Sequence, residues 1–388
     1  MKETLNLKQG RFTDADTREL ETAARVAIEE SLKLKRNERV LIVANPPKES
    51  LHVAQALYNA ALDAGGTPIL LLQGVKKQLD FADEAVIKSL GTEPDVFISI
   101  STGRLGKDRW AIKEPYKLDG RSYDHIFHYL MAAKKLRAFW SPMVTREMFR
   151  RTVPVDYERL RLEARALKSV LDAATELRIS SPAGTDLRMG IRGREAFVDD
   201  GDLSQAGAGG NLPAGETFIS PELLSSEGTI VFDASLSFHD GEAIAENPVR
   251  VEVKEGFVRS IDGGPEAERL TQTIDYGKQR AKEFGEEGKL ASEKIQTYVD
   301  NASNLGELGI GLNPAAKVTG RMLEDEKAYH TAHIAIGANY DEDAPALIHL
   351  DNLMYNPSIE AQLADGSTVV LLERGELNRE LLTRGEQI

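Results

Sequence analysis

The chain has 388 residues, 41% of them apolar, and this length and composition predict two domains with ordinary hydrophobic cores. Its formal net charge of −14 and lack of a basic cluster argue against a nucleic-acid partner, because binding to phosphate requires Lys and Arg. It contains no cysteine, so any metal must be held by nitrogen and oxygen ligands. We find neither an N-terminal signal sequence nor an apolar run that could span a membrane, and we therefore expect a cytoplasmic protein.

The N-terminal part of the chain alternates strand-like and helix-like patterns. Short apolar runs predict buried strands, at 39–44, 68–72 and 95–100. A helical pattern lies between the first two of these runs, at 50–64. Such alternation indicates a parallel sheet covered by helices. We therefore predict an α/β domain over residues 1–173, and a long charged helix at 155–176 carries the chain out of it.

The C-terminal part has mixed patterns. The segment 202–215 is rich in glycine and predicts a loop, which could form a rim beside a substrate. Alternating apolar residues between 228 and 258 predict an antiparallel meander. A charged helical pattern occupies 267–300, with an interruption at 285–288. We predict a second domain of mixed α+β structure over residues 174–388.

Residues of the types that divalent metals prefer lie between 304 and 353, in strand-like segments. They are Glu307, His333, His349 and Asp351. Side chains two positions apart on a strand point to one face, so His349 and Asp351 share the same space. Imidazole and carboxylate together suit Zn, Fe, Mn or Co. Any one of these residues could instead belong to a polar core, but a glutamate is rarely buried without a partner, and together they favour a metal site.

These segments resemble the motifs of the M29 family of metallo-aminopeptidases, which includes leucyl aminopeptidase T. The matching segments are Gly306-Glu307, His333 to Gly337 with the pattern His-h-Ala-h-Gly, His349 to Asp351, and Asn211-Leu212-Pro213 followed by Glu216 and Phe218. The resemblance implies a fold like that of the thermophilic metalloproteases. It also implies a metal-binding C-terminal domain in which five residues bind two ions, namely Glu216, Glu307, His333, His349 and Asp351.

The resemblance further implies an aminopeptidase, a hydrolase that releases N-terminal residues from peptides. Two ions, Zn, Co or Mn, would activate a water molecule, with Glu307 as the catalytic bridge between them. Tyr340, seven positions after His333, matches the catalytic tyrosine of the family and would stabilise the oxyanion. Family members pair through their C-terminal domains, so a homodimer is expected. The expected partners are a peptide or another small molecule, without nucleic acid or membrane.

One difference from the family leaves alternatives open. Only 16 positions separate His333 from His349, fewer than in the characterised aminopeptidases, so Tyr340 lies in a shortened loop. Dihydroxypyridine dioxygenases resemble the same fold and bind a single Fe(II) through two histidines and an aspartate. Those ligands are available here as His333, His349 and Asp351. A third hypothesis is a metal that only stabilises the scaffold, which would need a closed coordination shell.

Overall fold

The computed structural model describes residues 5–6, 10–77 and 80–385. The strands are β1 Leu5–Asn6, β2 Arg11–Phe12, β3 Arg39–Ala44, β4 Thr67–Leu72, β5 Val96–Ile100, β6 Tyr116–Leu118, β7 Arg121–Tyr123, β8 Arg137–Trp140, β9 Ala174–Ser180, β10 Asp186–Gly190, β11 Phe197–Asp199, β12 Gly209–Asn211, β13 Glu216–Ile219, β14 Glu227–Phe232, β15 Ser235–Phe238, β16 Gly241–Ile244, β17 Val249–Lys254, β18 Phe257–Asp262, β19 Leu305–Gly311, β20 Thr331–Gly337, β21 His349–Tyr355, β22 Ser358–Leu363, β23 Thr368–Glu373 and β24 Glu376–Leu377.

The helices are α1 Ala15–Arg18, α2 Glu21–Val26, α3 Lys48–Asp63, α4 Glu84–Leu90, α5 Ile126–Ala132, α6 Arg146–Thr152, α7 Tyr157–Ala173, α8 Pro265–Glu286, α9 Ser292–Asn301, α10 Met322–Asp325 and α11 Glu380–Gly385. A π-helical turn at Ala27–Ser31 continues α2. None of the described helices is both long enough and apolar enough to cross a bilayer.

Residue contacts divide the chain into two compact units. The first contains 1–157 and 201–214, and the second contains 158–200 and 215–388. The helix α7 therefore belongs to the second unit, apart from its first residue. The division of the chain into 1–173 and 174–388 stays a prediction.

A parallel sheet of five strands organises the first unit, in the order β12, β8, β5, β3, β4. All five residues of β5 are buried, as are five of the six in β3. Strands of a parallel sheet read as continuous apolar runs when helices cover both faces, which is the pattern seen in the sequence. The predicted strands and the helix between them are confirmed, with small shifts at their ends.

The strand β12 lies inside the segment 202–215, so the prediction of a loop was wrong for these three residues. They pair with β8, and Asn211 donates a side-chain hydrogen bond to the carbonyl of Trp140 at 2.9 Å. A Cβ atom at Gly209 would lie 2.5 Å from the methyl carbon of Met131. A larger side chain at this position would require Met131 to shift, and the glycines of the strand make its composition look like that of a loop.

Two antiparallel sheets form most of the second unit. The larger has the order β18, β17, β14, β10, β9, β22, β23, β24, and the smaller has the order β11, β13, β19, β20, β21, β15, β16. The predicted meander at 228–258 is divided between them, because the hairpin β15–β16 pairs with β21 and leaves β14 beside β17. The predicted fold class is confirmed: a parallel α/β unit is followed by a mixed unit with antiparallel sheets.

Candidate metal centre

Four neighbouring strands of the smaller sheet carry the five candidate ligands. Glu216 begins β13, Glu307 lies in β19, His333 in β20, and β21 contains the other two. Directly opposite residues of antiparallel strands share a face, as do residues two positions apart on one strand. The observed register therefore places five side chains on one face, namely Glu216, Glu307, His333, His349 and Asp351.

Each of these side chains has a small residue directly across the sheet. The pairs are Glu216 with Gly311, Glu307 with Ala335, His333 with Gly309, Asp351 with Ala335, and His349 with Gly337. A Cβ atom at Gly309 would lie 2.0 Å from Nε2 of His333, so the imidazole fills the space that this glycine leaves. Small residues on the neighbouring strands thus give the polar side chains room to converge.

Glu307 lies between the two histidines. Its Oε1 is 3.1 Å from Nε2 of His333, and its Oε2 is 3.4 Å from Nε2 of His349. Nε2 of His349 is also 3.2 Å from Oδ1 of Asp351, and Nε2 of His333 is 3.7 Å from Oε2 of Glu216. The ligand atoms form two groups, each within 4.8 Å, and Glu307 belongs to both: Glu216, Glu307 and His333, and Glu307, His349 and Asp351.

The two imidazoles are oriented differently. Nδ1 of His349 is 2.8 Å from the carbonyl oxygen of Ala338. A proton on Nδ1 donates to that carbonyl and leaves the lone pair of Nε2 directed at the carboxylates, which is the usual arrangement of a metal-binding histidine. Nδ1 of His333 is buried without a hydrogen bond, so the position of this ring depends on the strand and on the space beside Gly309.

Close contacts between buried carboxylates and imidazoles shift the pKa values in this cluster. Burial alone would raise the pKa of Glu307, but its contacts with the two imidazoles hold that pKa below its usual value. Burial would lower the pKa of His333, but the hydrogen bond to Glu307 and the nearby charges raise it to about 9. Oxygen atoms of Glu216, Glu307 and Asp351 remain buried without a hydrogen bond. A divalent metal would replace the imidazole protons and bind these oxygens, so this set of ligands fits such an ion.

Lys327 is part of the cluster, although sequence analysis did not identify it. Its Nζ is 2.5 Å from Oε1 of Glu216, 2.8 Å from Oε1 of Glu326 and 3.3 Å from Oδ2 of Asp199, and its side chain is 1% exposed. Burial would lower the pKa of Lys327, but these carboxylates raise it well above its ordinary value. Burial also raises the pKa of Asp199 to about 6 and that of Glu326 to about 7. Nothing in the sequence indicates a buried lysine here, since most lysines are exposed.

Aromatic side chains lie beside His349. The ring of Tyr340 is 5.3 Å from the imidazole and 5.0 Å from the ring of Phe218, which stacks on Phe197 at 5.3 Å. Tyr340 remains 55% exposed as a residue. Desolvation of its hydroxyl and the charge of Glu307 raise the pKa of Tyr340, so the hydroxyl keeps its proton. The structure therefore brings Tyr340 to the cluster, next to an accessible aromatic surface.

The loop that carries Tyr340 is held by ion pairs. Arg194 lies 2.9 Å from a carboxylate oxygen of Asp343 and 3.7 Å from one of Asp341. Asn339 donates a hydrogen bond to Asp343 and accepts one from the backbone of Ala344. The shortened loop thus has a defined conformation above the sheet, although its acidic sequence indicates only a turn.

Two other groups of polar residues have simpler explanations. His330 has a positive φ of 67° and pairs with Glu376 at 3.6 Å, which agrees with its exclusion from the predicted ligands. In the first unit, Asp14, Asp16 and His52 form a third group with the spacing of metal ligands. Here Asp14 caps α1 by accepting hydrogen bonds from Thr17, and Asp16 pairs with Arg146 at 2.6 Å.

Two solved structures share this architecture. The 2,5-dihydroxypyridine dioxygenase of Pseudomonas putida KT2440 aligns with a TM-score of 0.67 and 17% identity, over 95% of this chain and 99% of that one. AmpT from Thermus thermophilus aligns with a TM-score of 0.63 and 19% identity, over 94% of this chain and 100% of that one. At such low identity these likenesses show a common fold, and M29 aminopeptidases are one set of relatives in that fold.

The amino-acid sequence is also similar to that of a curated 2,5-dihydroxypyridine 5,6-dioxygenase from Pseudomonas putida KT2440. The two are 28% identical over 130 residues. The matched region is 34% of this chain and spans only 37% of the length of that relative.

A family model decides between the two classes of enzyme. The model described as NicX: 2,5-dihydroxypyridine 5,6-dioxygenase matches residues 143–344, more than half of the chain. The prediction of an aminopeptidase, and with it the hydrolase class and zinc, was therefore wrong. The four motifs misled because proteins of both classes share this fold, so motifs on it do not specify the reaction. The chain belongs to the NicX family of 2,5-dihydroxypyridine 5,6-dioxygenases.

Proposed function

We propose that this chain is a ring-cleaving dioxygenase that acts on a dihydroxylated pyridine and uses a single Fe(II) ion. The observation that carries the proposal is the family match over residues 143–344, which includes Glu216, Glu307, His333 and Tyr340. His349 and Asp351 lie just beyond the match, but Nε2 of His349 is 3.4 Å from Oε2 of Glu307 and 3.2 Å from Oδ1 of Asp351, which supports their place in the same centre.

The residues proposed to hold the ion are His333, His349 and Asp351, with Glu307 beside them. Two histidines and one carboxylate are the usual ligands of non-haem Fe(II) oxygenases, in which the iron supplies the redox chemistry with oxygen. His349 presents Nε2 because its Nδ1 proton is donated to the carbonyl of Ala338. The two oxygens of Glu307 face the two imidazoles, so this carboxylate balances charge and could accept a proton.

The aromatic residues beside the centre are proposed to receive the planar ring of the substrate. Phe197 is 39% exposed and Tyr340 is 55% exposed, although apolar rings are more stable when covered. A pyridine ring that packs on Phe218 and Tyr340 would lie next to His349, because Tyr340 contacts both. The Tyr340 hydroxyl would then be a hydrogen-bond donor to a substrate oxygen.

The number of ions is part of the proposal. Sequence analysis predicts two ions per chain, since Glu307 could bridge them, and the two overlapping groups of ligands are compatible with that prediction. The contact of Lys327 with Glu216 favours one ion instead, because a cation already occupies one oxygen of that carboxylate. Metal titration of the metal-free protein by calorimetry distinguishes one ion from two.

Oxygen consumption tests the activity. Full-length protein is loaded with Fe(II) without oxygen and then mixed with 2,5-dihydroxypyridine and ¹⁸O₂. We expect oxygen uptake and a ring-opened product that contains both labelled atoms, as detected by mass spectrometry. Protein that binds Fe(II) but consumes no oxygen with any dihydroxypyridine isomer would contradict the proposed activity.

Metal content tests the ligands separately. His349→Ala removes a proposed ligand and should lower the metal content after dialysis by about tenfold or more, as measured by plasma emission. His330→Ala is the matched control, because His330 lies three residues before His333 but pairs with Glu376 at the surface. Equal metal content in wild type and His349→Ala would remove His349 from the proposed set.

A further inference from the structure

Lys327 occupies a position that resembles the site of a metal ion. Its ammonium group is surrounded by three carboxylates from separate parts of the chain: Asp199 at the end of β11, Glu216 at the start of β13, and Glu326 after α10. Burial of an ammonium ion is unfavourable unless close anions compensate for the lost water. Because only 1% of the Lys327 side chain is exposed, these carboxylates rather than water stabilise its positive charge. The ammonium group in turn stabilises their negative charges.

The backbone fixes the lysine in this position. The amide of Asn313, just beyond β19, donates a hydrogen bond to the carbonyl of Lys327 at 2.8 Å, and the amide of Lys327 donates to the carbonyl of Glu324 at 3.0 Å. The chain between α10 and β20 is thus attached to the end of the strand that carries Glu307. The ammonium group is therefore positioned by the fold as well as by charge.

Glu216 divides its two oxygens between different partners. Oε1 contacts Lys327 at 2.5 Å, and Oε2 faces Nε2 of His333 at 3.7 Å. Glu307 belongs to two groups of candidate ligands. The group with Glu216 and His333 is therefore already in contact with a cation, the ammonium group of Lys327. The other group, with His349 and Asp351, is not in contact with a lysine or arginine among the described ion pairs.

We propose that the ammonium group of Lys327 takes the place of a second metal ion and restricts the centre to one. This inference rests on the single-metal centre proposed above and adds its cause. Without the lysine, Glu216, Glu326 and Asp199 would present oxygen ligands around an empty position. Such oxygens suit a hard divalent cation such as Mn²⁺.

The test is the number of Mn²⁺ ions bound by wild type and by Lys327→Met, measured on full-length protein by calorimetry and by plasma emission. We expect one ion in wild type and two in the variant. Lys168→Met is the matched control and should bind one ion, because Lys168 contacts Asp172 and Glu195 at 3.0 Å but is 29% exposed and lies outside the cluster. A merely structural Lys327 would lower stability without adding an ion.

The double variant Lys327→Met with Glu216→Gln removes one carboxylate as well, and we expect it to return to one ion. Two ions in wild type, or only one ion in folded Lys327→Met, would overturn the inference. If Lys327→Met folds only when Mn²⁺ is present and then holds two ions, the inference is supported. Failure to fold even in saturating Mn²⁺ means that a metal cannot replace the ammonium group, which also overturns it. Oxygen consumption plays no part in these counts, so a failure of the proposed activity remains distinguishable.

Discussion

Gly309 and His333 are directly opposed across β19 and β20, and the space for the imidazole exists only because the glycine has no side chain. In Gly309→Ala the added Cβ would lie 2.0 Å from Nε2, far inside van der Waals contact, so the imidazole must move. We expect metal affinity to fall by about 10- to 100-fold, as when a residue that orients a ligand is replaced. Calorimetric titration with Mn²⁺ or anaerobic Fe(II) measures this change.

Gly74→Ala is the control for this prediction. An added Cβ at Gly74 has no atom within 4 Å, and the backbone there does not have a positive φ. Its metal affinity should equal that of wild type. If Gly309→Ala folds normally by circular dichroism and also binds metal as wild type does, His333 is not held by this glycine or is not a ligand.

Individual residues differ in how far their roles can be predicted from sequence. His349 and Asp351 are two positions apart on a strand, and period-two alternation alone places them on one face. The role of Lys327 depends on carboxylates at positions 199, 216 and 326, which only the tertiary fold brings together. The same holds for the carbonyl of Ala338, because no side-chain pattern indicates which backbone group will orient His349.

The helix α5 shows how one titratable side chain can make a local element depend on pH. Nδ1 of His125 accepts a hydrogen bond from the amide of Phe127 and caps the helix, and Nε2 donates to the carbonyl of Gly106. The bond at Nδ1 requires neutral imidazole, because a protonated Nδ1 cannot accept, and burial holds the pKa of His125 below its ordinary value of 6.5. A folded-state pKa below the unfolded value means that this stabilisation is present above about pH 6.5 and is lost as pH falls below it.

In His125→Asn the amide oxygen can still cap α5 but cannot be protonated. We expect wild type to lose about 1 kcal/mol more than the variant between pH 7.5 and pH 5, the usual contribution of a cap. Urea unfolding at the two pH values measures the difference. His330→Asn is the control, because His330 is exposed and belongs to the second unit, and it should keep the wild-type dependence. Identical pH dependence in wild type and His125→Asn would contradict the prediction.

Elements with strong periodicity were predictable, and elements with unusual composition were not. The apolar runs of β3 and β5 and the helical pattern of α3 have few alternative interpretations, since each agrees with burial in a parallel sheet. The strand β12 was missed because two of its three residues are glycines, which are typical of loops, and Gly209 packs closely on Met131. The division of the predicted meander between two sheets depends on pairing of β15 with β21, more than 100 residues away, which local patterns do not specify.

At the scale of the whole molecule, the fold does not determine the reaction. The chain aligns with a dioxygenase at a TM-score of 0.67 and with AmpT at 0.63, values too similar to separate the two activities. The metal-ligand motifs have the same limitation, because imidazole and carboxylate on one face of a sheet suit several metals and so do not specify the reaction. Only similarity over a long stretch of sequence, residues 143–344, distinguishes them.

The homodimer predicted from the M29 resemblance stays a prediction. Light scattering of the full-length protein over a wide range of concentrations measures its mass directly. We expect about twice the mass of one 42.7 kDa chain. A mass near that of one chain at all concentrations would eliminate the dimer.

The two compact units lead to a prediction about where metal stabilises the molecule. A ligand that binds only the folded state raises the free energy of opening, by about 2.7 kcal/mol when its concentration is 100 times Kd. The proposed ligands all lie in the second unit, on β13, β19, β20 and β21. We therefore expect metal to slow amide hydrogen exchange in these strands and to leave the buried strand β3 of the first unit unchanged.

Hydrogen–deuterium exchange measured by mass spectrometry, with and without Mn²⁺, checks this expectation at peptide resolution. His349→Ala is the control, and added metal should protect its strands much less than those of wild type. Protection that is equal in both units would indicate that the molecule opens as one cooperative body. Protection confined to the first unit would place the metal away from Glu307, and the proposed centre would then be wrong.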